Sequence, residues 1–551
     1  MSIIKAKDTI SIPTHLNLTD FIFNTSNAYN PCFKNWDLNA FIDSESQESI
    51  SNFEMRNLVH ELASGLVHHF KLQRGDVLLI FAPNHIHYAT LLLAATSIGV
   101  IVTTTNPNYT DSELVHQLEH SNAKLIFTVP EQMSIVSKAL SKLKHEIQVA
   151  SIEKEGFKTK HTAVIGLNQL KAKKEYSKLI FKDQEEIKST PAMIVYSSGT
   201  TGLPKGVVLT HYNLISNVLQ TESLSRGAHA TGRVTIGVLP YYHCYGIVTL
   251  LLVGVHNHMI TVNVKKFNFV KLLESVQKFK IETMYLAPPI ILGLAKSPEV
   301  TKYDLSSLKA IVSGAAPLSI DTAKLAKKRL NVHIGQGYGM SELTPVTSLL
   351  PLSSDNMSSA GLLCPNIEAK IIDADNGNLL NVGERGELWV KGPNVMLGYL
   401  NNPKATKQTI AADGFLRTGD VGHFDKDGYL YITDRIKELI KYKGNQVAPA
   451  ELEDILLSHS KVLDCCVIGI PNEEAGELPK AYIVLSETDA KKIELEVNEI
   501  RKFTHQKLAP YKYLRGGIEV IGEIPKSPAG KILRRVLRDM HLKKHGKNGK
   551  L

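Results

Sequence analysis

Short apolar runs alternate with amphipathic stretches through residues 50–340. Residues 77–82 read Val-Leu-Leu-Ile-Phe-Ala, an unbroken apolar run of strand length, which predicts a strand buried on both faces. Upstream of it, Phe53, Leu58, Leu62, Leu66 and Phe70 recur at helical spacing. Downstream, residues 91–97 read as a helix, 99–105 as the next strand and 124–128 as another. Strand, helix and strand in this rhythm predict βαβ units and a parallel sheet. The rhythm returns with a strand at 192–196, a helix at 213–223, a strand at 235–239 and a helix at 267–279. Strands at 282–286, halted by Pro288-Pro289, and at 309–313 follow. The lysine-rich, weakly patterned residues 154–186 read as a surface excursion.

From residue 369 to 433 the texture changes. Runs such as Glu387-Leu-Trp-Val390 and Tyr429-Leu-Tyr-Ile432 are short, alternating and punctuated by glycines, which predicts a small antiparallel sheet or barrel. A compact α+β segment then runs to the end. A chain of 551 residues exceeds one ordinary core, so several domains or subdomains are expected.

Composition narrows the class. With 43% hydrophobic and 21% charged residues the chain has ample core material and a solvated surface. The formal net charge is +9, concentrated near the end, where Arg534, Arg535, Arg538, Lys543, Lys544, Lys547 and Lys550 face Asp539. No aromatics interleave with that run, so it reads as a solvated end, and no nucleic-acid partner is expected. Five cysteines show no zinc spacing, and Cys465-Cys466 lie in a strand-like run that suits core packing. His256 and His258 have no third ligand nearby in sequence, which argues against a metal site there. No apolar stretch is long enough to span a bilayer, and the first residues lack the apolar region of a signal peptide. A cytoplasmic location is expected. Gly549-Lys550-Leu551 is similar to the Ser-Lys-Leu peroxisomal address but lacks its first residue.

The chemistry-bearing stretch is Tyr196-Ser-Ser-Gly-Thr-Thr-Gly-Leu-Pro-Lys-Gly206. Closely spaced glycines with hydroxyls and one lysine suit a loop whose N–H groups face a polyphosphate. It is not the Walker pattern, because Pro204 stands at that motif's second glycine and Gly206 follows the lysine. Gly335-Gln-Gly-Tyr-Gly339 runs G-x-G-x-G, so no dinucleotide fingerprint is present. Gly314-Ala-Ala-Pro317 closes a strand, where ligands approach the backbone in α/β sheets. His243, among aromatics at another strand end, is a candidate pocket residue.

Five ordered motifs together resemble one family, the adenylate-forming acyl-CoA synthetases that include 4-coumarate–CoA ligases and beetle luciferases. They are Ser197-Ser-Gly-Thr-Thr-Gly-Leu-Pro-Lys-Gly206, Gly335-Gln-Gly-Tyr-Gly-Met-Ser-Glu342, Arg417-Thr-Gly-Asp420, Asp434-Arg-Ile-Lys-Glu-Leu-Ile-Lys-Tyr-Lys-Gly444 and Pro525-Lys-Ser-Pro-Ala-Gly-Lys531. The segment from Ala295 to Ser307 and Ser313-Gly-Ala-Ala-Pro-Leu318 read most like the plant-type 4-coumarate ligases. The resemblance implies an α/β fold. A large N-terminal domain (1–434) would hold two parallel or mixed βα subdomains and a small β-barrel (about 365–434). A hinged, smaller α+β C-terminal domain (435–551) would follow.

It also implies a two-step reaction, from carboxylate and ATP to acyl-AMP, then to an acyl-CoA thioester, with ATP, Mg²⁺ and coenzyme A required. The residues expected at ATP or AMP are Ser197, Ser198, Gly199, Thr200, Thr201, Gly202, Lys205, Gln336, Gly337, Tyr338, Ser341, Asp420, Arg435, Lys437, Lys441 and Lys531. Glu342 is expected near Mg²⁺, and Lys531 and His243 are the expected catalytic groups. The acyl pocket is expected from His243, Tyr245, Thr249, Val312, Ala315, Gly337, Gly339, Pro345 and Val346, with flat rings lying against the small residues. Lys443, Gly444 and Lys266 are matched to coenzyme A. Asn445 replaces the usual aromatic, and Leu343 and Thr344 are bulkier than the family's Ala-Gly, which could redirect the pocket. A 4-coumarate-like acid is the expected substrate and a medium- or long-chain fatty acid the alternative. A luciferase-like oxygenase and a peptide-synthetase adenylation protein are the remaining readings. A monomer or weak homodimer is expected.

Overall fold

The computed structural model describes residues 3–23, 35–158, 163–197, 204–225, 231–443, 445–487, 489–527 and 530–545. Two large sheets form its body. The first has seven strands in the order Gly398–Tyr399, Lys205–Thr210, Pro191–Ser197, Ile101–Thr104, Val77–Phe81, Ala123–Thr128 and Gln148–Ser151. The five strands from Pro191–Ser197 onward are parallel, and Lys205–Thr210 turns back antiparallel on Pro191–Ser197. All five side chains of Val77–Phe81 are buried, as an unbroken apolar run requires.

The second sheet has nine strands. Its parallel centre runs His333–Gly339, Ala310–Ser313, Thr283–Leu286, Val234–Gly237, Ile260–Asn263 and Asn39–Asp43. Val346–Leu349 and Leu362–Leu363 extend one edge antiparallel, and Ser49–Ser51 the other. Helices Tyr88–Ser97, buried at every residue, and His211–Leu224 join residues of both sheets into one core. The opposite face of the nine-stranded sheet is covered by Phe269–Phe279, Pro288–Lys296 and Ile320–Leu330.

The expected small barrel takes the form of a five-stranded antiparallel sheet, Ile4–Lys5, Glu368–Ile372, Gly386–Lys391, Leu416–Phe424 and Leu430–Arg435. Among the described residues no ladder joins its two edge strands. The excursion at 154–186 is more than surface. Leu167, Leu170, Leu179 and Phe181 are buried, and the Leu170 carbonyl lies where a side chain on Gly65 would be.

Beyond Arg435 the chain builds a second unit. Its sheet orders Asn445–Val447, Ile440–Tyr442, Gly476–Leu485 and Val462–Asn472, with Ile518–Val520 parallel to Gly476–Leu485. Helices Pro449–Ser458, Ala490–Lys507 and Arg534–His545 complete it around hydrophobic clusters of its own. Cys465 and Cys466 are buried free thiols there, as core packing requires.

Candidate active site

Two strand ends and one helix make a cavity of about 580 Å³, its open mouth included. Strand Ala310–Ser313 ends at Gly314 and Ala315, and strand His333–Gly339 leads into the short helical turn Ser341–Leu343. The ring of Tyr245 lies so close to Gly314 that a Cβ there would sit 2.8 Å from it, so glycine is needed at that position. The Tyr245 hydroxyl donates to the Val312 carbonyl at 3.4 Å. Ala315 holds φ +71°, a left-handed conformation rare for a residue with a side chain.

All nine residues expected at the acyl pocket, His243, Tyr245, Thr249, Val312, Ala315, Gly337, Gly339, Pro345 and Val346, line this one cavity. Two details differ from expectation. The glycine at 339 is demanded by Pro345, whose carbonyl oxygen would stand 1.8 Å from an added Cβ, and not by an approaching ring. Leu343 and Thr344 are fully buried and do not line the cavity, so their bulk is absorbed by the core. Thr221, Ser225, Tyr285, Leu349 and Met340 line it too, and the sequence reading missed them. Thr221 and Ser225 stand four residues apart along one helix face, the only trace they leave in the sequence.

His243 caps the turn Cys244–Gly246, its Nδ1 accepting the Tyr245 N–H at 3.3 Å. The ring proton is thereby assigned to Nε2. Burial, with the nearby Lys531 ammonium, pulls His243 down to about 4, so the ring is neutral at pH 7. After the turn, Ile247–Leu252 forms a π-helical segment, which carries Thr249 into the lining.

Next to the cavity is a charged cluster. Tyr338, itself a lining residue, donates its hydroxyl to Asp420 Oδ2 at 2.6 Å. Arg435 Nε lies 3.2 Å from Asp420 Oδ1, and the Asp420 N–H is held by Thr418 Oγ1 at 3.1 Å. Burial pushes the Asp420 carboxyl up, against the opposing pull of Arg435, Tyr338 and Lys531. Lys531 is half-buried here. Burial and the Arg435 guanidinium pull its ammonium below the usual lysine value, while Glu438, Asp420 and Glu342 oppose them. Lys531 is thus within electrostatic reach of His243, Asp420, Arg435 and Glu342, although it lies far along the chain from all four.

Glu342 is only 6% exposed, and its Oε1 accepts the hydroxyls of Ser197 at 3.1 Å and Tyr399 at 2.9 Å. Lys205 Nζ stands 4.8 Å from the centre of the Tyr399 ring. One tyrosine therefore positions both the loop lysine and the glutamate, and nothing in the sequence marked it. Ser341 is buried and lines the cavity. Gln336 spends its side chain on the Leu318 N–H and the Met357 carbonyl, so its amide braces the strand.

Ser198, Gly199, Thr200, Thr201, Gly202 and Gly444 lie outside the described residues, as do Gly549, Lys550 and Leu551. The strands on either side of residues 198–203 are placed: Ser197 pairs with Lys205 and Tyr196 with Gly206. Lys266, Lys437, Lys441 and Lys443 are exposed. The structure shows none of these four in contact with the cavity.

Residues 32–400 match the AMP-binding enzyme family, and residues 451–531 match the AMP-binding enzyme C-terminal domain. The chain belongs to the AMP-binding enzyme family. Its curated relatives place it among the acid–thiol ligases of that family. It is 39% identical over 519 residues to a probable 4-coumarate–CoA ligase 1 of Dictyostelium discoideum, covering 91% of this chain and 92% of the relative. It is 36% identical to the 4-coumarate–CoA ligase of Pinus taeda, covering 96% of each. Among solved structures it is similar to ATP-bound MatB from Rhodopseudomonas palustris, with TM-score 0.82, 25% identity and coverage of 95% and 98%. An anthranilate CoA ligase, AuaEII, in complex with anthranoyl-AMP shares the fold at TM-score 0.85 and 22% identity, covering 97% and 99%. Among the described residues no helix is long and apolar enough to cross a membrane.

Proposed function

We propose that this chain is an ATP-dependent carboxylic acid–CoA ligase whose acid is 4-coumarate or a related cinnamic acid. The supporting observation is continuity: residues 337–341 line the apolar cavity, while Tyr338 and Glu342 of the same stretch hold the Asp420 and Ser197 ends of the polar cluster. A carboxylate in the cavity would meet a nucleotide in the cluster. Its oxygen attacks the α-phosphorus, the bond to the bridging oxygen breaks, and pyrophosphate leaves with that electron pair. The thiol of coenzyme A then attacks the acyl carbon, loses its proton and expels AMP.

Each side chain has a task set by its surroundings. His243 donates its Nε2–H to the incoming carboxylate without adding charge. Asp420, oriented by Tyr338 and Thr418, accepts from ribose hydroxyls. Lys531 and Arg435 offset the charge that gathers as two anions meet, an electrostatic effect strengthened by burial. Lys205 serves the leaving phosphates. Glu342 fits Mg²⁺: a single buried carboxylate bonded by neutral hydroxyls suits an ion that takes most other ligands from phosphates and water. Bound there, the ion would neutralise phosphate charge.

A second reading is a fatty acyl chain in the same cavity, favoured by the apolar side chains of Val312, Val346 and Leu349 in its lining. The test is AMP formation with coenzyme A over a panel of hydroxylated and unsubstituted cinnamates and of C6 to C16 fatty acids. Hydroxylated cinnamates should lead in kcat/KM. A preference for alkyl chains would transfer the assignment to the second reading, and no AMP with any acid would end the ligase reading.

A further inference from the structure

Helix Pro288–Lys296 of the large unit touches the small unit at both of its ends. At its start, Ala287 and Pro289 abut Gly530, the residue before Lys531. A Cβ on Gly530 would stand 2.6 Å from Ala287 Cβ, and Gly530 holds φ +81°. At its end, Lys296 Nζ donates to the Leu457 carbonyl at 3.2 Å and the Val462 carbonyl at 3.1 Å. Leu457 lies in the last turn of helix Pro449–Ser458, and Val462 opens the strand Val462–Asn472.

The chemistry of that second contact is specific. The last carbonyls of a helix have no partner within it and carry the negative end of its dipole, so a lysine ammonium there is favoured. Here the ammonium comes from the other unit. Lys296 is half-buried, and burial pulls its pKa down, so it holds its charge against a desolvation cost. Arg329 reaches the Leu294 and Ala295 carbonyls, which anchors the end of helix Pro288–Lys296. A nine-residue helix spans about 13 Å, so the two contacts form a long base across the interface. One of them directly adjoins Lys531.

We propose that Lys296 is a positioning residue, a latch that holds the small unit in the arrangement presenting Lys531 to the cavity and so favours acyl-AMP formation over thioester formation. The proposal rests on the ligase reading. Lys296 touches no reactant; it acts through the carbonyls of Leu457 and Val462 and through the Gly530–Ala287 contact at the far end of its helix.

The test compares Lys296→Met, which keeps the stem and removes the donors, with Lys296→Arg, which restores donors. In Lys296→Met, kcat for pyrophosphate release should fall about tenfold, the loss expected for a charged hydrogen bond. KM for ATP should stay within about twofold, and thioester formation from supplied acyl-AMP should be unchanged or faster. Lys296→Arg should recover most of the lost rate. A dye pair placed on the two units should show a longer mean separation in Lys296→Met, without any turnover. Equal losses in both half-reactions would mean a merely structural role and overturn the latch. Wild-type pyrophosphate release with an unchanged dye separation would overturn it too. A wild-type chain that forms AMP separates this failure from failure of the ligase reading.

Discussion

His243 shows how far one side chain's state follows from its neighbours. Its Nδ1 is committed to the Tyr245 N–H, and burial beside Lys531 brings its pKa to about 4. An unfolded histidine titrates near 6.5. Between those values the unfolded chain binds more protons, so the neutral ring's contribution to stability is full above about 6.5 and is lost as pH falls toward 4. The ratio of wild-type to His243→Ala kcat/KM for the acid should therefore stay constant from about pH 5.5 to 8. An inflection in that ratio near 6.5 would show a normally titrating imidazole. Tyr399 offers a second separation. Tyr399→Phe keeps the ring under Lys205 but loses the bond to Glu342, so KM for ATP should rise about two- to tenfold, the range for one hydrogen bond. Tyr399→Ala, which loses both contacts, should rise further.

Among elements, helix His211–Leu224 acts as the ruler of the site. Asn213 Nδ2 donates to the Pro393 and Val395 carbonyls, and Asn217 pairs twice with Val346, donating at 2.7 Å and accepting at 3.1 Å. Gln220 reaches the Pro365 carbonyl, and Thr221 with Ser225 ends in the cavity wall. Asn217→Ala should cost about 1–3 kcal/mol, the desolvation left behind by unpaired backbone groups, read from the urea midpoint at constant m, and should raise KM for the acid. Gly314→Ala should raise that KM with little effect on KM for ATP, because the new methyl displaces the Tyr245 ring. Elements with apolar runs were legible in the chain. Residues 213–223, 267–279 and 309–313 lie within one or two residues of His211–Leu224, Phe269–Phe279 and Ala310–Ser313. What was not legible has physical causes. His333–Gly339 is a strand despite three glycines, because its two neighbours supply the ladder. Pro288-Pro289, read as a stop, begins a helix, where a missing N–H costs nothing. Among the pocket residues found, His243 stood out as a histidine among aromatics at a strand end and the others came with the family resemblance; Thr221, Ser225 and Tyr399 had neither signal and are brought in by packing.

At the scale of the molecule, the proposed function asks one site to serve two half-reactions. Arg534 ties the parts of the small unit into one body. Its guanidinium reaches Glu438 at 2.8 Å, just past the connection to the large unit, Glu453 at 2.7 Å, and the Val467 carbonyl at 3.3 Å. Removing one side of such a buried pair costs about 3–5 kcal/mol, so Arg534→Met should unfold the small unit first and abolish both half-reactions. Within that body, Lys531 faces the cluster, whereas Lys443 lies exposed beside the hairpin strand Ile440–Tyr442, which pairs with Gly476–Leu485 of the same sheet. Loop motion within the unit cannot bring Lys443 to the place of Lys531, so on the proposed ligase reading the exchange would need rotation of the whole unit. On this geometry Lys531→Ala should cut pyrophosphate release by orders of magnitude yet spare thioester formation from supplied acyl-AMP. Lys443→Ala should do the reverse, slowing the thiol step while adenylation proceeds. Single-turnover assays of the separate halves decide it, since equal losses in both halves for either variant would mean that one arrangement of the two units performs both reactions.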